Sequence, residues 1–414
     1  MGDSGTGELA ALQRLLARLL DAPNPFYAPR LIGAGLPDPA AVSIGEYIAR
    51  CPFTTKAEIA GDHAAHPPFG SNLTRPIADY SRVCRTSGTS GEPLSWPDTA
   101  ENWRAMLDVW QTIYRAAGIE PGEDRIYFAF SFGPFLGFWT AFEAATGMGC
   151  MAVPGGGLSS SARLAAIEDL GATVLCCTPT YAQRLGEAKA GPLGVRTIIV
   201  AGEPGGSVPE VRAVISDLWD GARVVDHHGM TEVGPVSVEP PDAPENLCAV
   251  PGAHLVEIVD PDSGEEVAEG SEGELVLTTL RRSDCPLLRY RTGDLVRKRI
   301  YVFEGERTVG FEGGILGRID DMVVVRGVNL YPGAVDAVLR RFPQIAEYQV
   351  VQTSERAMAE IALRVELKSG AAASTIESIE AALRDAFSLR IPVERAADGS
   401  LPRFEFKARR WVKQ

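Results

Sequence analysis

Residues 172–229 read ATVLCCTPTYAQRLGEAKAGPLGVRTIIVAGEPGGSVPEVRAVISDLWDGARVVDHHG, and their patterning decides the fold class. ATVLCC is a short apolar run suited to a buried strand, with the adjacent Cys176 and Cys177 as core residues. Thr178 before Pro179 marks a helix start, because proline fits the first helical turn where its missing N–H costs nothing; TYAQRLGEA continues that helix. RTIIVAG and ARVVDHHG are two further strand-then-glycine units with the helix PEVRAVISDLW between them. Upstream, DRIYFAF (124–130) is a strand, and SSSARLAAIEDLG (159–171) a helix ended by Gly171. Repeated β-α-β order implies a parallel sheet covered by helices, with ligands beyond the carboxyl ends of its strands.

Outward from this core the character changes. HLVEIVD, GELVLTTL and LVRKRIYVF are short alternating strands separated by turn signals, which predicts a small antiparallel subdomain over about 252–312. After GRIDD the pattern restarts with VVVRG, a helix from about Pro332 to Arg341, strands EYQVVQ and AEIALRVEL, and the helix STIESIEAALRDAF. The expected organisation is a large α/β domain over 1–317 and a small, mobile α+β domain over 318–414. Near the start, ELAALQRLLARLLDA spaces its leucines as an amphipathic packing helix.

Composition excludes some classes of function. A formal net charge of -14 argues against a nucleic-acid partner, and the run Arg297, Lys298, Arg299 reads as a solvated face. The seven cysteines show no paired spacing and fit reduced thiols. No apolar stretch reaches membrane-spanning length, and the acidic N-terminus does not resemble a signal peptide. The expected location is the cytoplasm, without membrane attachment.

RTSGTSGEP (85–93) is the sharpest local signal. The hydroxyls of Thr86, Ser87, Thr89 and Ser90 alternate with Gly88 and Gly91. Glycines let a backbone approach a polyphosphate while N–H and hydroxyl groups donate to it. It is not the GxxxxGK[ST] loop, so a conventional P-loop NTPase is not implied. Asp98 and Glu101 stand in capping-box spacing ahead of a helix whose apolar face is Trp103, Leu107, Trp110 and Tyr114.

The segment resembles the phosphate loop of the adenylate-forming superfamily: acyl- and aryl-CoA ligases, peptide-synthetase adenylation domains and luciferases. Five further segments resemble that superfamily's motifs in order: AGEPGG (201–206), HHGMTEVGP (227–235), YRTGDL (290–295), GRIDDMVVVRGVNLYP (317–332) and LPRFEFKARR (401–410). PFTTKAEI, GATVLCCTPTYAQRL, PLLRYRTGDL and GVNLYP are similar to the phenylacetate–CoA ligases in particular.

The resemblance implies that Thr86, Ser87, Gly88, Thr89, Ser90 and Gly91 hold the β- and γ-phosphates of ATP. Thr231 would contact the α-phosphate, and Glu232 would bind Mg²⁺ carried by ATP. Gly202, Glu203 and Pro204 would line the adenine, with His228 against its face and Gly229 beside it. Asp294 would accept the ribose hydroxyls with Arg318 assisting, and Lys407 would stabilise charge developing on the α-phosphate. Asp320 would be the hinge.

The implied reaction is attack of a carboxylate on ATP to give acyl-AMP and pyrophosphate, then transfer of the acyl group. CoA is the family's usual acceptor; an amine or a carrier protein stays open, as does a non-catalytic nucleotide-binding protein. The aromatic run YFAFSFGPFLGFWTAF (127–142) favours a flat aromatic acid, with Phe132, Phe135, Gly229 and Met230 at the acyl pocket. Oligomeric state is not readable from these residues, and a homodimer stays open.

Three departures from the family pattern stand out. Glu92 occupies the place of the usual loop lysine, and His228 that of an aromatic ring. RIYVFEGERTV lacks the CxCG insertion of many relatives, and Cys248, His254 and Cys285 lack ligand spacing, so no structural zinc is expected.

Overall fold

The computed structural model describes the whole chain except residues 1–3, 23, 87–91, 322, 327, 356–357, 405–409 and 414. Two strands, β1 (Tyr80–Arg85) and β2 (Ser95–Thr99), pair as an antiparallel hairpin. β3 (Arg125–Phe128), β4 (Met151–Pro154), β5 (Val174–Cys177), β6 (Thr197–Val200) and the first half of β7 (Arg223–Met230) form the parallel sheet in the order β4-β3-β5-β6-β7.

These strands read as unbroken apolar runs because alternate residues serve two cores. Ile126, Phe128, Val174, Cys176, Ile199 and Val225 pack under the helices Ala100–Ala116 and Leu136–Met148. Tyr127, Leu175, Cys177, Ile198, Val200 and Val224 pack under Ser160–Asp169, Pro179–Ala188 and Pro209–Leu218. That is the period-two pleat of a sheet buried on both faces. Thr178 is the N-cap of Pro179–Ala188, its hydroxyl accepting from the Tyr181 amide at 3.3 Å, as its position before Pro179 implies.

The antiparallel strands do not stand apart. Beyond Asp226, β7 leaves the parallel ladder and pairs antiparallel with β8 (Gly234–Val238), which leads to β9 (Leu247–Ala249). β10 (His254–Val259), β11 (Glu272–Thr279), β12 (Tyr290–Phe303) and β13 (Glu306–Arg318) complete an eleven-stranded sheet among the described residues. The expected subdomain at 252–312 is therefore the far wing of one mixed sheet, joined through β8 and β9. Along it, Arg297, Lys298 and Arg299 pair with Glu272, Glu266 and Glu269, as suits a solvated face.

Past Arg318 a separate small sheet begins. It contains β14 (Val323–Val325), β15 (Val328–Leu330), β16 (Ile345–Glu355), β17 (Met358–Leu367), β18 (Val393–Arg395) and β19 (Trp411–Lys413). The helices Pro332–Leu339 and Thr375–Phe387 cover it through Val335, Leu339, Ile379 and Leu383. The N-terminal helix Ser4–Asp21 buries Leu12, Leu15, Leu16 and Leu19. Among the described residues no helix is long and apolar enough to cross a membrane.

One expectation is overturned. Asp98 does not cap the helix Ala100–Ala116; Thr99 does, its hydroxyl accepting from the Asn102 amide at 3.2 Å. Asp98 is fully buried and paired with Arg282, while Glu101 is exposed and bonds Arg75 at 2.9 Å. Local spacing mimicked a capping box, but a buried counter-charge claimed the carboxylate.

Candidate active site

The carboxyl ends of β3, β5, β6 and β7 lie in register, Phe128 opposite Cys176, Cys177 opposite Val200 and Val200 opposite Asp226. Four segments therefore leave the sheet along one edge: 129–135, the helix start at Thr178, 201–206 and 227–232. This is the edge where ligands collect in such sheets.

Across β12 and β13, Asp294 is the direct partner of Arg318. Arg318 Nη1 donates to Asp294 Oδ1 at 3.0 Å, and His228 Nε2 lies 3.1 Å from Asp294 Oδ2. Three residues chosen from distant parts of the sequence thus share one carboxylate. His228 Nδ1 is buried without a hydrogen-bond partner among the described residues. Gly293 has φ 77, and a Cβ there would come within 2.7 Å of Arg318, so the turn beside the pair requires glycine. Arg318 also grips Asp320 with two hydrogen bonds of 2.8 and 3.0 Å. Burial acts to raise the Asp320 carboxyl, but those bonds outweigh it and hold it below the usual range.

Thr231 and Glu232 sit on a turn clamped from beneath. Arg282 Nη1 donates to the carbonyls of Thr231 (2.7 Å) and Glu232 (2.8 Å), and His254 Nε2 donates to that of Val233 (3.1 Å). Arg282 is itself fixed by a bidentate pair with Asp98, at 2.8 and 2.7 Å. The Glu232 carboxylate is buried, with Lys56 Nζ 3.9 Å away.

Gly202, Glu203 and Pro204 lie on the 201–206 loop, with Gly202 and Pro204 exposed. The Glu203 carboxylate is turned to the Thr180 amide at 2.7 Å, where it caps the helix Pro179–Ala188. Below the loop, Arg212 donates to the Gly206 and Val224 carbonyls, both at 2.7 Å, and forks onto Glu239. Ser207 donates to the buried Asp226 at 2.6 Å. Burial pushes the Asp226 carboxyl up to about 6, against the Ser207 hydrogen bond.

Thr86 is buried at the mouth of the loop joining β1 and β2. Its amide donates to the Leu94 carbonyl at 3.0 Å, and its hydroxyl accepts from the Leu94 amide at 2.9 Å. Arg85 N donates to the Pro134 carbonyl at 2.6 Å, tying this hairpin to the aromatic segment. Glu92 is exposed, so its charge is solvated. Ser87, Gly88, Thr89, Ser90, Gly91 and Lys407 lie outside the described residues.

The arrangement matches known proteins throughout its length. The model of the AMP-binding enzyme family covers residues 51–280, and that of the AMP-binding enzyme C-terminal domain covers 327–414. The chain belongs to the AMP-binding enzyme family. It is 34% identical to a phenylacetate-coenzyme A ligase of Thermus thermophilus over 86% of this chain and 80% of that one. The structure of a 2-hydroxyisobutyryl-CoA ligase in the postadenylation state, with an acyl-AMP bound, overlaps it with a TM-score of 0.91 at 29% identity, over 99% of this chain and 89% of that one. With the same ligase in the thioesterification state, bound to acyl-AMP and CoA, the TM-score is 0.72 at 30% identity and the same coverage. Identity and coverage hardly change between the two, so the difference reflects how the parts are arranged.

In this AMP-binding enzyme the acyl-pocket residues proposed from sequence do not all converge. Phe132 joins an aromatic cluster, with ring centroids 5.6 Å from Phe130, 5.3 Å from Phe142 and 5.0 Å from Trp139. Phe135 reaches it through Phe138 at 6.0 Å. Met230 instead packs against the core containing Val233 and Tyr290. A Cβ on Gly229 would lie 3.0 Å from the Gly234 carbonyl, so this glycine is needed for the close approach of β7 and β8. Among the described residues no three His, Cys, Asp or Glu side chains form a metal-holding group. Cys248 and Cys285 lie in different cores.

Sequence reasoning missed Arg282, Arg212 and Lys56. No local pattern marks the first two: Arg282 acts through the carbonyls of Thr231 and Glu232 some 50 residues away, and Arg212 through those of Gly206 and Val224 on the neighbouring loop and strand. Lys56 was legible as part of PFTTKAEI but carried no assigned role.

Proposed function

We propose that this chain is an ATP-dependent, AMP-forming acid ligase that activates an aromatic carboxylic acid as its acyl-adenylate and passes the acyl group to CoA. The observation that carries it is the convergence of His228, Asp294 and Arg318 beside the clamped Thr231–Glu232 turn. Asp294 is a fixed, buried acceptor, which is what a ribose diol requires. Arg318 and His228 each occupy one site on a different Asp294 oxygen, so each oxygen keeps a second lone pair for a ribose hydroxyl.

Glu232 offers one carboxylate in a rigid place. That fits a hard cation arriving on a triphosphate, which keeps most of its ligands as phosphate and water. Bound there, Mg²⁺ would neutralise phosphate charge. Thr86 fixes the mouth of the loop whose residues Ser87, Gly88, Thr89, Ser90 and Gly91 would donate to the β- and γ-phosphates. Thr231 would hold the α-phosphate and Lys407 would meet its developing charge, where a cation contributes most. Gly202 and Pro204 would flank the adenine; Glu203 acts by fixing the loop.

The division into 1–317 and 318–414, with Asp320 as hinge, belongs to the same reading. Arg318 bonds both Asp294 and Asp320, so the residue assisting the ribose also steadies the hinge. The aromatic cluster around Phe132 and Phe135 favours a flat acid. The names of the relatives, CoA ligases, support CoA as acceptor.

The test is incubation with Mg²⁺-ATP, a panel of benzoates and arylacetates, and CoA, with products weighed by mass spectrometry. Aryl-CoA appearing in step with AMP is expected. Acyl-AMP accumulating without thioester, and consumed by an amine or a carrier protein, would overturn CoA as the acceptor.

A further inference from the structure

The described residues that flank Lys407 in the sequence, up to Arg403 and from Arg410, are bonded to the small sheet. Before it, Glu366 on β17 gathers the Gly399 amide (3.2 Å), the Leu401 amide and the Arg403 guanidinium (2.6 Å). After it, Arg410 pairs with Glu347 on β16 at 2.7 Å, and its carbonyl accepts from the Val350 amide at 2.7 Å. Both anchors travel with the small domain, so neither sets where that domain sits on the large one.

A third contact does cross between them. Arg184, on the helix Pro179–Ala188 of the large domain, donates Nη1 to the Phe404 carbonyl at 3.1 Å. Phe404 is three residues before Lys407. The same helix receives the Glu203 carboxylate at its Thr180 amide. One rigid element thus touches both the adenine-side loop and the approach to Lys407.

We infer that Arg184 is a positioning residue for acyl-adenylate formation: its bond to the Phe404 carbonyl holds the small domain against the large one in the arrangement that overlaps the postadenylation state of the 2-hydroxyisobutyryl-CoA ligase. The inference rests on the function proposed above. A backbone carbonyl cannot be reached from a fixed helix once the small domain rotates, so the contact belongs to one arrangement. Removing it weakens the adenylation half-reaction and leaves acyl transfer untouched.

The test compares wild type, Arg184→Ala and Arg184→Lys in separate half-reactions. ATP–pyrophosphate exchange reads adenylation, and thioester formation from a supplied synthetic aryl-adenylate with CoA reads transfer. Arg184→Ala is expected to lower the exchange kcat about tenfold, the scale of one hydrogen bond from a charged donor, with the KM for ATP little changed. Transfer stays at the wild-type rate, and Arg184→Lys recovers part of the exchange. Unchanged exchange, or equal losses in both half-reactions, overturns the inference. Amide hydrogen exchange over 402–410 in the nucleotide-free protein supplies a readout that needs no turnover. Faster exchange in Arg184→Ala supports the contact, and an unchanged rate rejects it even where no acid is activated.

Discussion

Arg282→Ala tests how the Thr231–Glu232 turn is held. The guanidinium is buried and makes four hydrogen bonds: two to Asp98 and one each to the carbonyls of Thr231 and Glu232. Removing it strands a fully buried carboxylate, and breaking a buried pair from one side costs about 3–5 kcal/mol. At the size of this large domain that corresponds to a melting temperature lower by roughly 10 °C. Burial already pushes the Asp98 carboxyl up against the pull of Arg282; the variant removes the main opposition to that push and favours the protonated form.

The pair Asp98→Leu with Arg282→Met separates stability from catalysis. An apolar pair of similar volume restores most of the melting temperature, because the stranded charge is gone. The two turn carbonyls still lack their donor, so Thr231 and Glu232 drift, and a shift of about 1 Å at reacting groups costs on the order of a hundredfold in rate. Differential scanning fluorimetry and pyrophosphate exchange read the two quantities. A single variant that melts within about 1 °C of wild type refutes the clamp. So does a double variant that regains both stability and exchange.

Acid sensitivity follows from three buried groups. Burial lowers His227 to about 3 and His254 to about 4, and raises Asp226 to about 6. Between pH 4 and 6 the unfolded chain therefore binds a proton on each histidine that the fold refuses, while the fold keeps one on Asp226 that the unfolded chain releases. The histidines outweigh the aspartate, and these groups together cost about 1.4 kcal/mol of stability per pH unit as pH falls. His254→Gln, which can still donate to the Val233 carbonyl, is expected to flatten that limb in urea titrations at pH 4.5 and 6.5; an unchanged slope would contradict it. Asp294→Ala removes the proposed ribose acceptor and leaves Arg318 bonded to Asp320, so calorimetry should show ATP affinity reduced about tenfold or more with little change in melting temperature.

Much of this was legible in the chain because its signals are local. The unbroken burial of VLCC and TIIV, the Thr178–Pro179 helix start and the leucine spacing of the first helix each follow from a few neighbouring residues. The joining strands β8 and β9 were not, since they are short and follow a motif whose glycines and prolines read as loop. The cluster of His228, Asp294 and Arg318 came from resemblance rather than from spacing: nothing local links His228 to Asp294, 66 residues away. Asp98 failed for the opposite reason. A convincing local pattern with Glu101 concealed a partner 184 residues distant. Tertiary electrostatics of this kind leaves no trace in a window of neighbours.

Acid-dependent exchange of labelled pyrophosphate into ATP, without any acceptor, bears most directly on what the site does. Wild-type protein with Mg²⁺-ATP and an aromatic acid should exchange label, release AMP rather than ADP once an acceptor is added, and lose exchange in Asp294→Ala. ADP as the nucleotide product, or ATP bound tightly with no exchange across benzoates, arylacetates and heteroaryl acids, would contradict acyl-adenylate formation.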